Sequence, residues 1–221
     1  MQHLFQIFLI LHIAGGTLAL ITGSFASLTQ KGGKAHRLNG KLFAAGMTIV
    51  FITAVVMSLL KSLTFLLMVA FFSYHQLLRG YRVLYLKKLH LGMRMAWPDY
   101  LINGVGGIFN AWLIVWGVLV ATGPHPAMGY VAISFGVIGF QSAIRDVRKF
   151  YVPPKEKQHW YFTHITGMGG AYIATITAFL VVNVHFLPGL VVWTAPTLVG
   201  LALINVTVRK YRKKLGIGNE E

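Results

Sequence analysis

His164 stands about one turn inside "HWYFTHITGMGGAYIATITAF" (residues 159–179), a segment otherwise apolar enough for a bilayer. A histidine in that setting has to face protein, water or a metal. Three more lie in or beside apolar runs: His12 in "LHIAGGTLALITGSF", His36 in "KGGKAHRLNGK" and His75 in "FFSYHQLLRGYRVL". Imidazole suits zinc, copper and iron, and binds them in its neutral form. The expected chemistry is a transition-metal site built from His36, His75 and His164. Asp99 or Asp146 would act there as ligand, as support to a ligand, or as base toward a metal-bound water.

A haem version of the site needs one or two axial histidines at matched depth and cations for the propionates. His12 with His75 is the better pair, and Arg79, Arg82 and Arg145 are the available cations. Cysteine is absent, which excludes disulfides, thiolate metal sites and cysteine nucleophiles. His159 and His164 are five apart, about 140° around a helix, and so do not form a one-face chelating pair. His3, His90, His125 and His185 fall in the terminus or connectors and are read as solvated or interfacial.

The elements that position these groups follow from composition. Apolar residues make up 56% of the 221-residue chain and charged residues 11%, well below the roughly 25% charged of a soluble domain. Lys and Arg total 20 against 5 Asp and Glu, a net charge of +15. The basic residues sit in short clusters between long apolar runs rather than on one soluble face, so a nucleic-acid partner is excluded. Runs near 20 residues, the length that crosses roughly 30 Å of hydrocarbon, give seven spans at 4–27, 39–60, 63–85, 100–121, 127–144, 160–184 and 188–208. The first lacks a basic leader region and exceeds signal-peptide length, so it is read as retained.

Charge then orients the bundle. Lys31, Lys34, Arg37 and Lys41 mark the first connector; Lys87, Lys88 and Arg94 the third; Arg148, Lys149, Lys155 and Lys157 the fifth. The even connectors hold only Lys61. By the positive-inside rule the N-terminus is outside and the C-terminus cytoplasmic. The expected fold is an all-α seven-helix transmembrane bundle over 1–208, followed by a short, mobile basic tail at 209–221.

At about 1.5 Å rise per residue, His36 and His164 lie within roughly 8 Å of the cytoplasmic boundary and His75 about 15 Å from it. His12 lies nearer the external side, so it is expected outside that cluster or in a second site. The helical period puts His164, Gly167, Met168, Ala171 and Thr175 on one stripe, and His12, Gly15, Gly16, Ala19 and Gly23 on another. Small stripes let helix backbones approach closely in lipid. Both histidines therefore point into helix contacts. Asp99, Asn103, Gly106, Gly107 and Asn110 form a third stripe.

The expectation is a membrane-embedded metal-dependent enzyme, redox or hydrolytic, with the bilayer as partner and a lipid or small hydrophobic substrate. In outline alone it resembles the seven-helix zinc hydrolases, whose two histidines four apart on a late helix are missing here. Haem b electron transfer and solute or proton transport along the polar residues are the alternatives. No lysine lies in the apolar part of the last span, which excludes a retinal Schiff base there.

The segments "LHIAGGTLAL", "KGGKAHRLNGKLF" and "HITGMGGAYIATITAFLVVN" with "LPGLVVWTAPTLVG" resemble a family of predicted bacterial polytopic membrane proteins of unknown function. The resemblance covers most of the chain and implies a multi-pass protein of the bacterial cytoplasmic membrane. It marks His12, His36 and His164 as motif positions. It implies no activity.

Overall fold

The computed structural model describes residues 2–124 and 126–217. They are all-α. The helices are α1 Gln2–Leu28, α2 Lys34–Leu60, α3 Thr64–Arg82, α4 Trp97–Ala121, α5 Pro126–Tyr151, α6 His159–Asn183 and α7 Gly189–Lys214. Two single 3₁₀ turns, Val83–Tyr85 and Leu89–Leu91, fill the α3–α4 connector. His125 and the last four residues, 218–221, lie outside the described residues.

Six helices, all but α3, are long and apolar enough to cross a membrane. Their outer faces stay apolar: Ile10, Ile108, Val182 and Leu198 are each about two-thirds exposed (66%, 68%, 70% and 69%). In water such a surface would aggregate; in lipid it is the solvated face. This is a multi-pass membrane architecture, against the expectation of seven equally apolar spans. The exception has a physical reason. His75, Gln76, Arg79 and Arg82 lower the apolar content of α3, and three of the four are buried. α3 packs on α2, α4, α5 and α6 and has little lipid to face.

Two boundaries differ from the sequence expectation. α5 runs on past 144 to Tyr151, and α7 continues through the basic stretch to Lys214. The tail is therefore helical over its first half. Arg212 is tied to Glu156 at 3.0 Å, and Leu215 N–H closes α7 on the Tyr211 carbonyl.

Contacts between neighbours are glycine-mediated. In α1 against α2, a Cβ on Gly46 would lie 2.8 Å from the Gly15 carbonyl oxygen. In α3 against α6, a Cβ on Gly80 would lie 2.6 Å from the Met168 nitrogen. Gly117, Gly129 and Gly136 serve α4 against α5 in the same way. The small-residue stripes read from the sequence are thus the packing seams, and Gly15, Ala19, Gly23, Gly167, Ala171 and Thr175 are all buried. One half of the interior, around Met68, Phe72, Leu113, Val131 and Phe135, is apolar throughout. The buried ion pairs, Arg79 with Asp146 and Arg82 with Asp99, lie toward the other end of α3.

Candidate functional site

The short α1–α2 turn is made by "QKGGK". Gly32 adopts φ 78, a left-handed conformation open to glycine at no steric cost. Lys31 folds back so that its Nζ donates to the Ala26 and Ser27 carbonyls, a cation on the orphan oxygens at a helix C-terminus. The turn delivers His36 to the first turns of α2, where its Nδ1 donates to the Ala26 carbonyl at 2.9 Å. On α6, the Nδ1 of His164 donates to the Gly80 carbonyl of α3 at 2.8 Å. That bond depends on the Gly80–Gly167 contact, which brings the two backbones together.

A carbonyl only accepts, so Nδ1 carries the proton in both rings. In the neutral forms Nε2 then holds the lone pair. No side-chain or backbone hydrogen bond occupies either Nε2 among the described residues. The two ring centroids are 6.3 Å apart, with planes at 78°. Two imidazoles sharing one metal, each Nε2 at about 2.0–2.1 Å, place their centroids about 5 Å apart at a tetrahedral angle and about 6.4 Å apart when opposed, so this spacing is that of opposed ligands or of an edge-to-face ring pair. Fixing Nδ1–H on a backbone carbonyl is the usual support of a metal-binding histidine. His36 and His164 are both half-buried, and the fold brings this pair together.

The remaining expected ligands are held elsewhere. His75 is 3% exposed, packed against Gly106, with Nδ1 at 3.4 Å from the Asn110 amide. His12 is bonded through Nδ1 to Thr53 Oγ1 of α2 at 2.9 Å. The pair proposed for haem is thus engaged with different helices, His12 with α2 and His75 with α4. Among the described residues no group of three or more His, Asp or Glu is placed to hold one metal ion. The expected three-histidine cluster is not supported. Depth counting put His75 within reach of His36 and His164, but the structure turns it to the α4 side of α3, whereas His164 bonds to the α3 backbone at Gly80.

The two carboxylates have other partners as well. Asp99, 1% exposed, accepts from Arg82 Nε at 2.8 Å and Nη2 at 3.0 Å, and also from the Ala96 N–H at 3.0 Å. Asp146 accepts from Arg79 Nε at 2.7 Å and Nη2 at 3.2 Å, and from Lys149 Nζ at 2.7 Å. These are forked guanidinium–carboxylate pairs, the geometry that gives arginine its directional strength. They join α3 to α4 and α3 to α5. Arg145 is exposed and donates to Gln141 on its own helix at 3.1 Å.

Between the two pairs lies a cavity of ≈ 20 Å³ lined by Arg79, Arg82, Asp99, Asn103, Asp146 and Thr163, among others, about the size of one water molecule. Asn103 Oδ1, in its lining, has no hydrogen-bond partner, and neither do three other buried polar atoms on the helices that bound it, His75 Nε2 and Gln76 Nε2 of α3 and Asn110 Oδ1 of α4. A second histidine pair was set aside by sequence reasoning. His159, 6% exposed and without a partner on either ring nitrogen, lies 6.3 Å from His90 between ring centroids. His90 comes from the 3₁₀ turn of the α3–α4 connector, a tertiary approach no spacing rule announces. The ion pairs had a signal: with five acids in the chain, any acid at membrane depth has to find a base.

No family model, curated protein or solved structure matches this chain.

Proposed function

We propose that this chain is a bacterial cytoplasmic-membrane metalloprotein of seven spans, N-terminus outside and C-terminus cytoplasmic. A transition metal sits between His36 and His164. α3 is the seventh span: at 19 residues it is roughly 28 Å long by helical rise, enough for the hydrocarbon core. The orientation rests on the basic odd-numbered connectors, and the family resemblance supports a polytopic bacterial protein. The observation that supports the metal reading is the pair of Nδ1 anchors, which leaves the Nε2 lone pair of each ring without a protein partner in two rings whose centroids are 6.3 Å apart.

Two protein ligands leave coordination positions open for water or a substrate, one protein ligand fewer than a catalytic zinc site has. Zinc, copper and iron all accept imidazole, and the centroid spacing also suits an iron with two axial histidines. The chemistry assigned to the site is redox or hydrolytic work on a lipid or small hydrophobic molecule entering from the leaflet. A second reading, proton or solute passage, is favoured by the unpartnered polar atoms around the small cavity between α3, α4 and α5.

The test is metal analysis with an absorption spectrum on one detergent-purified sample. About one metal per chain is expected, lost together in His36→Ala and His164→Ala and retained in His12→Ala. A haem Soret band that vanishes in the same two variants identifies the iron form. A protein that binds no metal after reconstitution, or loses it equally in all three variants, sinks the reading.

Topology is checked separately. A reporter active only in the cytoplasm, fused after residue 217, is expected to be active, and the same reporter fused ahead of α1 silent. The opposite pattern overturns the orientation.

A further inference from the structure

The lipid-facing side of the α4–α5 seam has a feature that the metal site does not use. A groove of ≈ 440 Å³ opens between the two helices, with Gly107 on α4 and Phe140, Ala143, Ile144 and Val147 on α5. Its walls are apolar except for Asn103 on α4, and Arg148 and Tyr151 close one end. On α5 these residues recur three or four apart, at 140, 144, 147–148 and 151, so they form one stripe along the helix. From Phe140 to Arg148 the stripe runs about 12 Å. Polarity along it therefore follows depth: a cation and an aromatic at the helix terminus, hydrocarbon below.

Arg148 is one of the cations without an acid partner, and the one that lines this groove. Among the described residues the acids are Asp99, Asp146 and Glu156, and their ion pairs are with Arg82, Arg79, Lys149 and Arg212. Arg148 is exposed and pairs with none of them. A groove with a free guanidinium at the headgroup level and an apolar trough beneath matches an amphiphile with an anionic head. Tyrosine at that level is the usual interfacial anchor. The trough exists because Gly107 presents no side chain: its nearest neighbour across the seam is the Ala143 methyl, 3.9 Å from where a Cβ would stand.

We propose that this groove binds one anionic phospholipid, its phosphate on Arg148 and Tyr151 and one acyl chain along the α5 stripe. The proposal rests on the membrane reading of the bundle and is independent of the metal.

Native mass spectrometry of the detergent-solubilised full chain, titrated with phosphatidylglycerol and with phosphatidylcholine, tests it. One tightly held phosphatidylglycerol per chain is expected, preferred over phosphatidylcholine by roughly fivefold or more, the worth of one basic residue near an anionic surface. Arg148→Gln is expected to remove that preference. Gly107→Leu, which fills the trough and leaves the charge, is expected to remove the tightly bound lipid. Arg145→Gln, one turn back and outside the groove, should leave both unchanged. An equal loss in Arg145→Gln and Arg148→Gln makes the effect a diffuse basic surface and overturns the site. Competition by soluble glycerol phosphate as strong as by the whole lipid overturns the acyl-chain half of the proposal. Metal content should be the same in all three variants, so failure here leaves the metal reading standing.

Discussion

Asp146→Ala is expected to destabilise the protein by about 3–5 kcal/mol, because it leaves a buried guanidinium without its partner. Arg79 is 8% exposed and Asp146 12%, and the forked contact is backed by Lys149 on the same carboxylate. The cost comes less from the lost attraction than from the stranded charge. Arg79 sits on the inner face of α3 with only Gln76 Oε1, at 3.4 Å, as a further acceptor. Removing both charges at once should therefore be far milder. Arg79→Met with Asp146→Leu is expected to recover most of the loss, since a buried ion pair exchanged for packed apolar groups is often neutral. Arg212→Ala provides the contrast. Its pair with Glu156 is 43% and 32% exposed, which puts its worth at about 0–1 kcal/mol. Thermal unfolding in detergent reads all three variants. For a chain of this size the Asp146→Ala loss corresponds to a Tm fall on the order of 10 °C. A Tm within two or three degrees of the parent, by about the same scale, would mean water already reaches Arg79 and the pair is not buried in the membrane-embedded protein.

How far the sequence foretold this arrangement depends on which forces set each part. Span positions were legible because lipid imposes a length and a composition on each helix, so that α1, α2, α4 and α6 begin or end within a few residues of the expected runs. The seams were legible too, because glycine stripes at helical spacing have one use between helices in lipid. α3 was expected as a span like the others, and it is instead the one helix too polar to count among the six apolar spans. Its low apolar content is a consequence of enclosure, and enclosure is a property of its neighbours. The histidines divide the same way. His36 and His164 were placed at one depth by counting residues from the connectors, and they meet. His75, counted a few residues deeper but within reach of the same site, faces Gly106 and Asn110 instead. Depth is encoded along a helix, whereas azimuth relative to other helices is decided by the packing order of the bundle. Asp99 and Asp146 show the limit most plainly. A carboxylate near three histidines in depth looks like a ligand until the arginine that claims it is known, and Arg79 lies 67 positions away from Asp146.

Gly80→Leu is expected to separate α3 from α6 and, in the same step, to empty the proposed metal site. Glycine is required here by close approach. A Cβ at position 80 would stand 2.6 Å from the Met168 nitrogen and 2.9 Å from the Gly167 carbonyl carbon. Both are backbone atoms of a hydrogen-bonded helix, so no side chain can turn aside to relieve the clash. Overpacking of this kind costs about 1–3 kcal/mol where neighbours can shift, and a rigid helix wall puts this variant at the upper end or beyond. The functional consequence is sharper than the energetic one. His164 reaches the Gly80 carbonyl only because the two glycines touch, and that bond is what holds the proton on Nδ1 and leaves Nε2 for the metal. Moving α6 outward removes the anchor, frees the ring and breaks its register with His36. Gly80→Leu should therefore bind metal as poorly as His164→Ala even in the fraction that remains folded. Gly104→Leu is the control, because nothing lies within 4 Å of where its Cβ would stand; it should keep both Tm and metal. Folded Gly80→Leu that holds its metal with the parent's affinity would mean that His164 does not need the α3 carbonyl, and the anchored-pair account of the site would fall while the bundle itself stood.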